Sequence, residues 1–164
     1  MLNWIVIGIG DITTRRVIPA IQAENRSRLY GFVTRDPAKA ERFGGQAWTT
    51  LDEALTDSAI DAVYVGTPVF LHAPQTIEAL RAGKHVLCEK PMAMNAEEAS
   101  AMVQAAEESK KTFGVAYYRR CYPKVQRAKE LIVAGAIGQP VFAELTNHMW
   151  FDGGGHRGWL FDPA

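Results

Sequence analysis

The sequence predicts an α/β fold in which a doubly wound, mostly parallel sheet carries helices on both of its faces. Two observations predict it. Short apolar runs alternate along the chain with segments of helical spacing, and most of these runs end at a glycine or a polar turn. Because parallel strands are joined by right-handed crossovers, the alternation places helices on both faces of a single sheet.

Each predicted element has its own local signal. The strands are apolar runs at residues 2–8, 29–33, 62–66, 85–88 and 112–116. The helices follow at residues 17–21, 36–43, 51–55, 71–82 and 95–109. Asp36 before Pro37, Thr50 and Asn95 are residues that favour helix starts, and Gly83 favours a stop.

Composition narrows the class of protein. The 164 residues are 48% hydrophobic and 22% charged, and 18 Lys and Arg balance 18 Asp and Glu, which argues against nucleic acid or a membrane surface as a partner. The two cysteines lie far apart, and no secretory signal or membrane-spanning apolar stretch is evident. We expect a cytoplasmic protein.

The chain is expected to divide near residue 118. Residues 1–118 hold the whole alternating pattern. Residues 119–164 contain one predicted helix at about 122–134, stopped by Gly135, and one predicted strand at 141–149. Because one helix and one strand cannot close a core, they either pack on the first module or begin a second, incomplete domain.

A glycine turn follows the first strand and opens the first helix. Gly8 permits the turn, and Gly10 lets the backbone approach a pyrophosphate at the helix N-terminus, where Asp11 and Ile12 stand. The third position of this dinucleotide fingerprint is Thr13 rather than glycine or alanine. The alternative interpretation is a glycine turn that only tightens the joint between strand and helix.

The end of the second strand bears on the choice between NAD and NADP. An NAD site usually has an acid there, whereas this chain has Thr34 and Arg35. A hydroxyl beside a guanidinium suits a 2'-phosphate, so we expect NADP to be preferred over NAD. The alternative is a solvated arginine, with Asp36 capping a helix.

Two later strand ends carry further candidates. Thr67, Pro68 and His72 follow one strand, either as a site for a ring lying over the strand ends or as a plain connector. Glu89, Lys90 and Pro91 follow the next strand. A lysine at that edge is suited to sharing a hydroxyl proton, and the alternative is a surface salt-bridged pair.

The order and spacing of these pieces resemble the Gfo/Idh/MocA family of oxidoreductases. The resemblance rests on Val-Tyr-Val-Gly-Thr-Pro at 63–68, His72, Gly-Lys-His-Val-Leu-Cys-Glu-Lys-Pro-Met at 83–92, and the first glycine turn. It extends through residues 114–120, 128–132 and 135–140. It implies a Rossmann-type NAD(P)-binding domain, then the start of an α/β substrate domain that often forms homo-oligomers.

The resemblance also implies roles for individual residues. Hydride passes between a nicotinamide and a hydroxyl-bearing carbon of a sugar, polyol or similar alcohol. Thr67, Pro68 and His72 are implied to line the nicotinamide side, Glu89 to help hold the cofactor, and Lys90 to be the catalytic lysine beside the substrate hydroxyl. The Lys90-Pro91 peptide bond is implied to be a candidate for the cis form.

The match fails near the C-terminus. The family has an aspartate and, four residues later, a histidine after a glycine-rich turn, but Trp159 and Pro163 stand at the corresponding spacing beyond Gly155. His148 and His156 are the candidate substitutes. We therefore expect an N-terminal fragment that binds a dinucleotide and turns over poorly. The alternative functions are a non-catalytic dinucleotide-binding sensor and an interaction module.

Overall fold

The computed structural model describes residues 1–146 and 148. The strands of the described chain are β1 (Leu2–Ile7), β2 (Ser27–Val33), β3 (Gln46–Trp48), β4 (Ala62–Val65), β5 (His85–Cys88) and β6 (Phe113–Val115). They form a parallel sheet in the order β3-β2-β1-β4-β5-β6. The predicted doubly wound sheet is confirmed, with the strand order of a Rossmann fold.

Helices connect the strands. The α-helices are α1 (Ile18–Ala23), α2 (Ala38–Glu41), α3 (Leu51–Leu55), α4 (His72–Arg81), α5 (Ala96–Ser109) and α6 (Pro123–Val133). Short 3₁₀ turns lie at Val69–Leu71 and Tyr118–Cys121. Thr50 and Asn95 cap α3 and α5 as predicted, since their side chains accept hydrogen bonds from the amides of Glu53 and Glu98.

Two local predictions differ from the structure. The strand β3 was not predicted, because it has three residues, of which Gln46 and Ala47 are exposed, and so lacks an apolar run. The helix predicted at 36–43 is shorter in the structure. Its N-cap is Pro37, which has no side chain that can cap, and the Asp36 carboxylate lies 3.9 Å from the Lys39 amine.

The first helix begins with an unusual turn. Residues Thr13–Val17 form a π-helix, in which the amide of Ile18 donates to the carbonyl of Thr13. Pro19 explains the wider turn, since it has no N–H for an ordinary helical bond and its ring crowds the carbonyl four residues earlier. The widened turn is continuous with α1 and starts directly beyond the glycine turn after β1.

The core lies on both faces of the sheet. Successive residues of a strand point to opposite faces, so Val63 and Val65 pack in one cluster with Ala79 and Leu80 of α4, whereas Tyr64 packs in a second cluster with Ile18 of α1. Full burial of an aliphatic side chain contributes about 1.5 to 3 kcal/mol. The central strands are therefore held rigidly from both sides.

The chain divides into two compact units, Met1–Tyr118 and Arg119–Ala164. In the second unit, α6 has no buried residue. The strand predicted at 141–149 is wrong for residues 141–146 and 148, which form no regular element, because a lone strand needs a sheet neighbour to satisfy its backbone. Positions 147 and 149, like His156, lie outside the described residues.

No helix in the described part of the chain is both long and apolar enough to cross a membrane.

A carboxyl pair between α3 and α4 makes stability depend on pH. Burial, and then the contact with Asp52, raise the pKa of the Glu78 carboxyl from 4.5 to about 7. The folded state therefore binds this proton more tightly than the unfolded state. The resulting stability is complete below about pH 4.5 and is lost as the pH rises through about 7.

We expect Glu78→Gln to flatten the fall in the free energy of unfolding between pH 5 and pH 8, because the amide stays neutral throughout. Urea unfolding at several pH values measures this change. Glu107→Gln, at an exposed position of α5, is the matched control and should keep the wild-type slope. An unchanged slope in Glu78→Gln would show that another group causes the dependence.

Candidate functional site

The carboxyl ends of three neighbouring strands meet at one edge of the sheet. The amide of Gly66 donates to the carbonyl of Ile7 at 2.9 Å, and the amide of Glu89 donates to the carbonyl of Val65 at 2.9 Å. The turns after β1, β4 and β5 are thus adjacent. Ligands of open α/β sheets bind at such an edge, where the connections of neighbouring strands diverge.

The two glycines of the turn after β1 differ in their structural surroundings. Gly8 has φ +85°, and a Cβ atom there would lie 2.7 Å from the carbonyl oxygen of Gly66, so the fold itself requires glycine. A Cβ on Gly10 would meet no described atom within 4 Å. The open space beside Gly10 fits the close approach of an external group to the backbone.

Thr13 holds this turn in shape. Its hydroxyl accepts a hydrogen bond from the amide of Gly10 at 2.7 Å, and its proton lies between the carbonyls of Gly8 and Gly10, at 3.0 and 2.9 Å. The side chain is fully buried, and its methyl group occupies the space where a Cβ on Gly66 would stand, at 2.8 Å. Thr13 therefore replaces the third glycine of the fingerprint because Gly66 leaves room for it.

The other residues of the turn face outward. The Asp11 carboxylate pairs with Arg15 at 2.7 Å, and the Ile12 side chain is 41% exposed. The first amides of a helix have no acceptor within the helix itself. The backbone amides of Asp11 and Ile12 are thus placed to meet an anion at this edge.

The loop after β2 carries Arg35, an exposed arginine. The Thr34 hydroxyl bonds to the backbone of Asp36, accepting from its amide at 3.2 Å, which keeps this loop tight. Arg35 is exposed, and within residues 1–146 and 148 it forms no ion pair, since Asp36 pairs with Lys39. Its guanidinium is available to an anionic ligand.

The loop after β5 carries a carboxylate with both oxygens engaged. Glu89 accepts a hydrogen bond from the Tyr64 hydroxyl at 2.5 Å through Oε1 and from the amide of Lys90 at 3.0 Å through Oε2. The Lys90 side chain is exposed at the edge, and the Lys90-Pro91 peptide is cis, which confirms that expectation. Tyr64 was not singled out from the sequence.

The loop after β4 is tied to its surroundings. The Thr67 hydroxyl donates to Oε1 of Gln75 at 2.7 Å, and Pro68 is exposed. His72 is only 1% exposed, and its ring nitrogens face the carbonyls of Pro91 and Thr67. His72 thus has no polar atom left for a bound molecule. It lies behind the edge instead of lining it, which corrects the position that the resemblance implied.

Tyr64 and Cys88, which lie beside Glu89, stay neutral at neutral pH. Burial, together with the hydrogen bond to Glu89, raises the pKa of the Tyr64 hydroxyl. Burial raises the pKa of the Cys88 thiol to about 11, with the Thr76 hydroxyl opposing and the nearby Glu89 adding to the shift. Neither group is a nucleophile at neutral pH. Among the described residues, no cluster of three or more His, Cys, Asp or Glu is arranged to hold a metal ion.

The fold and this edge define the class of protein as a dinucleotide-binding Rossmann domain. Residues 2–117 match the model of the Gfo/Idh/MocA family, described as an oxidoreductase family with an NAD-binding Rossmann fold. The chain belongs to this family.

Similar proteins share both sequence and structure with the chain. It is 40% identical over 154 residues to a 1,5-anhydro-D-fructose reductase of Ensifer adhaerens, covering 92% of this chain and 46% of the relative. It is 35% identical to the D-xylose 1-dehydrogenase [NADP(+)] of Haloarcula marismortui, covering 86% of this chain and 41% of that one.

Solved structures match as well. A 3-ketoreductase from Actinomadura kijaniata in complex with NADP and TDP-benzene matches with a TM-score of 0.76 and 33% identity, covering 84% of this chain and 44% of the other. The WlbA dehydrogenase of Bordetella pertussis, in complex with NADH and UDP-GlcNAcA, matches with a TM-score of 0.78 and 30% identity, covering 84% and 41%. The chain thus spans less than half the length of each of these relatives.

Proposed function

We propose that the chain is part of an NAD(P)-dependent oxidoreductase that transfers hydride between a nicotinamide and a hydroxyl-bearing carbon of a sugar or polyol. The observation that carries the proposal is the juxtaposition of the open turn at Gly10 with the exposed amine of Lys90 at one sheet edge. The similarity to a 1,5-anhydro-D-fructose reductase and to a D-xylose 1-dehydrogenase supports the substrate class.

The cofactor would be held by backbone and side chains of three loops. The pyrophosphate would lie beside the turn of Gly8 and Gly10, where the amides of Asp11 and Ile12 complete a helix N-terminus. Thr34 and Arg35 would meet the ribose, and the free guanidinium of Arg35 favours the 2'-phosphate of NADP. The loop at Thr67 and Pro68, with Glu89 opposite, would border the nicotinamide.

The chemistry assigned to this chain is the movement of a proton. A bound nicotinamide supplies or accepts the hydride. The Lys90 amine would take the hydroxyl proton as an alcohol is oxidised, or its ammonium would return that proton to the carbonyl oxygen in the reverse reaction. Glu89, held by Tyr64, keeps a carboxylate beside the backbone of Lys90 and so stabilises the loop that carries the amine.

The remaining expectations stay predictions. They are that residues 119–164 begin a substrate domain, that this domain forms homo-oligomers, and that the protein is cytoplasmic. A dinucleotide-binding sensor or interaction module is the alternative function, and a chain that binds the cofactor without any Lys90-dependent turnover would favour it.

Replacing Gly10 by alanine tests the cofactor site. The added methyl group meets no protein atom, so we expect Gly10→Ala to fold as stably as the wild type, while its affinity for NADPH falls about tenfold or more, because the methyl separates pyrophosphate from backbone. Fluorescence titration measures the affinity, and urea unfolding is the control. Wild-type affinity in this variant would place the dinucleotide elsewhere.

Arg35→Ala tests the preference for NADP. The expected result is a loss of about tenfold in affinity for NADPH with little change for NADH, because only the former carries the 2'-phosphate. Arg81→Ala is the matched control, since this exposed arginine lies in the last turn of α4, next to the amino end of β5. Equal losses for both cofactors, or none, would contradict the assignment.

Lys90→Met tests the catalytic role. With NADPH or NADP⁺ and a panel of keto sugars, aldoses and polyols, we expect turnover to fall by about 10²-fold or more while cofactor affinity changes little. The absorbance of the reduced nicotinamide reports turnover. Lys129→Met on α6 is the control at an exposed lysine. Equal turnover of Lys90→Met and wild type would remove Lys90 from the mechanism.

A further inference from the structure

His72 joins two loops of the site through a single buried ring. Its Nδ1 lies 2.8 Å from the carbonyl oxygen of Pro91, and its Nε2 lies 2.9 Å from the carbonyl oxygen of Thr67. The first carbonyl belongs to the loop after β5 and the second to the loop after β4. Since the ring is 1% exposed, water does not compete for either contact.

The chemistry of the two partners determines where protons must be. A carbonyl oxygen only accepts hydrogen bonds, so each contact needs a proton on the facing nitrogen. A neutral imidazole carries one such proton and an imidazolium carries two. A proton on Nδ1 therefore links the ring to Pro91, and a proton on Nε2 links it to Thr67.

The loop that carries Lys90 is held from both faces of the sheet. His72 is the first residue of α4, on the face that Val63 and Val65 share. Tyr64 points to the other face and bonds to Glu89, whose second oxygen accepts from the amide of Lys90. Glu89 is fixed by Tyr64 and Pro91 by His72, so Lys90 lies between two anchored residues.

We propose that His72 is a positioning residue whose single ring proton lies on Nδ1. Its Nδ1–H donates to the carbonyl of Pro91 and thereby holds the loop that carries Lys90, while Nε2 lies against the loop at Thr67 without a hydrogen bond. The catalytic consequence rests on the proposed function, but the hold on the Lys90 loop can be measured without cofactor or substrate.

Two amide substitutions separate the contacts. The amide nitrogen of asparagine can stand in for Nδ1, and that of glutamine can stand in for Nε2. We expect His72→Asn to keep the Lys90 signal of the wild type, because its amide can still donate to the carbonyl of Pro91. We expect His72→Gln, which does not replace Nδ1, to shift the Lys90 signal.

The Lys90 signal is the NMR resonance of its amine after reductive ¹³C-methylation of the full chain, assigned by its loss in Lys90→Arg. Lys110 is an exposed methylated lysine in the same compact unit, and its unchanged resonance controls for unfolding of that unit. A merely structural role would shift the Lys90 signal equally in both variants, and that outcome, or no shift in either, overturns the proposal. If the wild type binds no dinucleotide, the proposed function fails while the Lys90 readout still tests His72.

A measurement on the unmodified protein covers the case in which both variants fail to fold. In a long-range ¹H–¹⁵N spectrum of the histidine rings, we expect the Nδ1 of His72 to carry a proton that exchanges slowly with solvent. An Nδ1 that stays unprotonated across the stable pH range would overturn the proposal, because no hydrogen bond to Pro91 would then exist.

Discussion

The parallel pairing of β1 with β4 is the constraint on which the site depends. These strands are neighbours in the sheet, but the chain leaves β1 towards β2 and leaves β4 towards β5, in opposite directions. Their turns therefore diverge and leave a crevice at the carboxyl edge. The close approach of Gly8 to Gly66 sets the floor of this crevice, and the loops carrying Arg35 and Lys90 border it on either side.

Strong local patterns in the sequence predicted most of the fold. Inner strands read as apolar runs, and β1, β2, β4 and β5 were found in this way. The edge strand β6 is only half-buried, but it was still found because Phe113 and Val115 lie in an apolar run. The edge strand β3 has no such pattern because its residues are largely exposed. The strand predicted after residue 140 does not form at residues 141–146 and 148 although the sequence there is apolar, since a strand without a sheet neighbour has no hydrogen-bond partner for its backbone. The π-turn depends on Pro19, which acts on the turn before it and leaves no local pattern at residues 13–17 themselves.

The site was predicted less completely than the fold because its hydrogen bonds join residues distant in sequence. Tyr64 and Glu89 are 25 positions apart, and His72 and Pro91 are 19 apart. A tyrosine inside a buried strand needs a partner for its hydroxyl, which was the available signal for Tyr64. No feature of the sequence predicted that His72 would be buried, because its burial depends on how α4 packs against the sheet.

Thr13 and Gly66 pack against each other in one small volume, so the residue type at each position limits the residue type at the other. The methyl group that Thr13 contributes fills the space that a side chain at position 66 would need. A variant with glycine at 13 would leave a void, and a variant with alanine at 66 would collide with Thr13 and crowd Tyr64. Exchanging the two together, with glycine at 13 and alanine at 66, would conserve the packed volume. The departure from the usual glycine fingerprint at Thr13 is thus one half of a compensated pair in this chain.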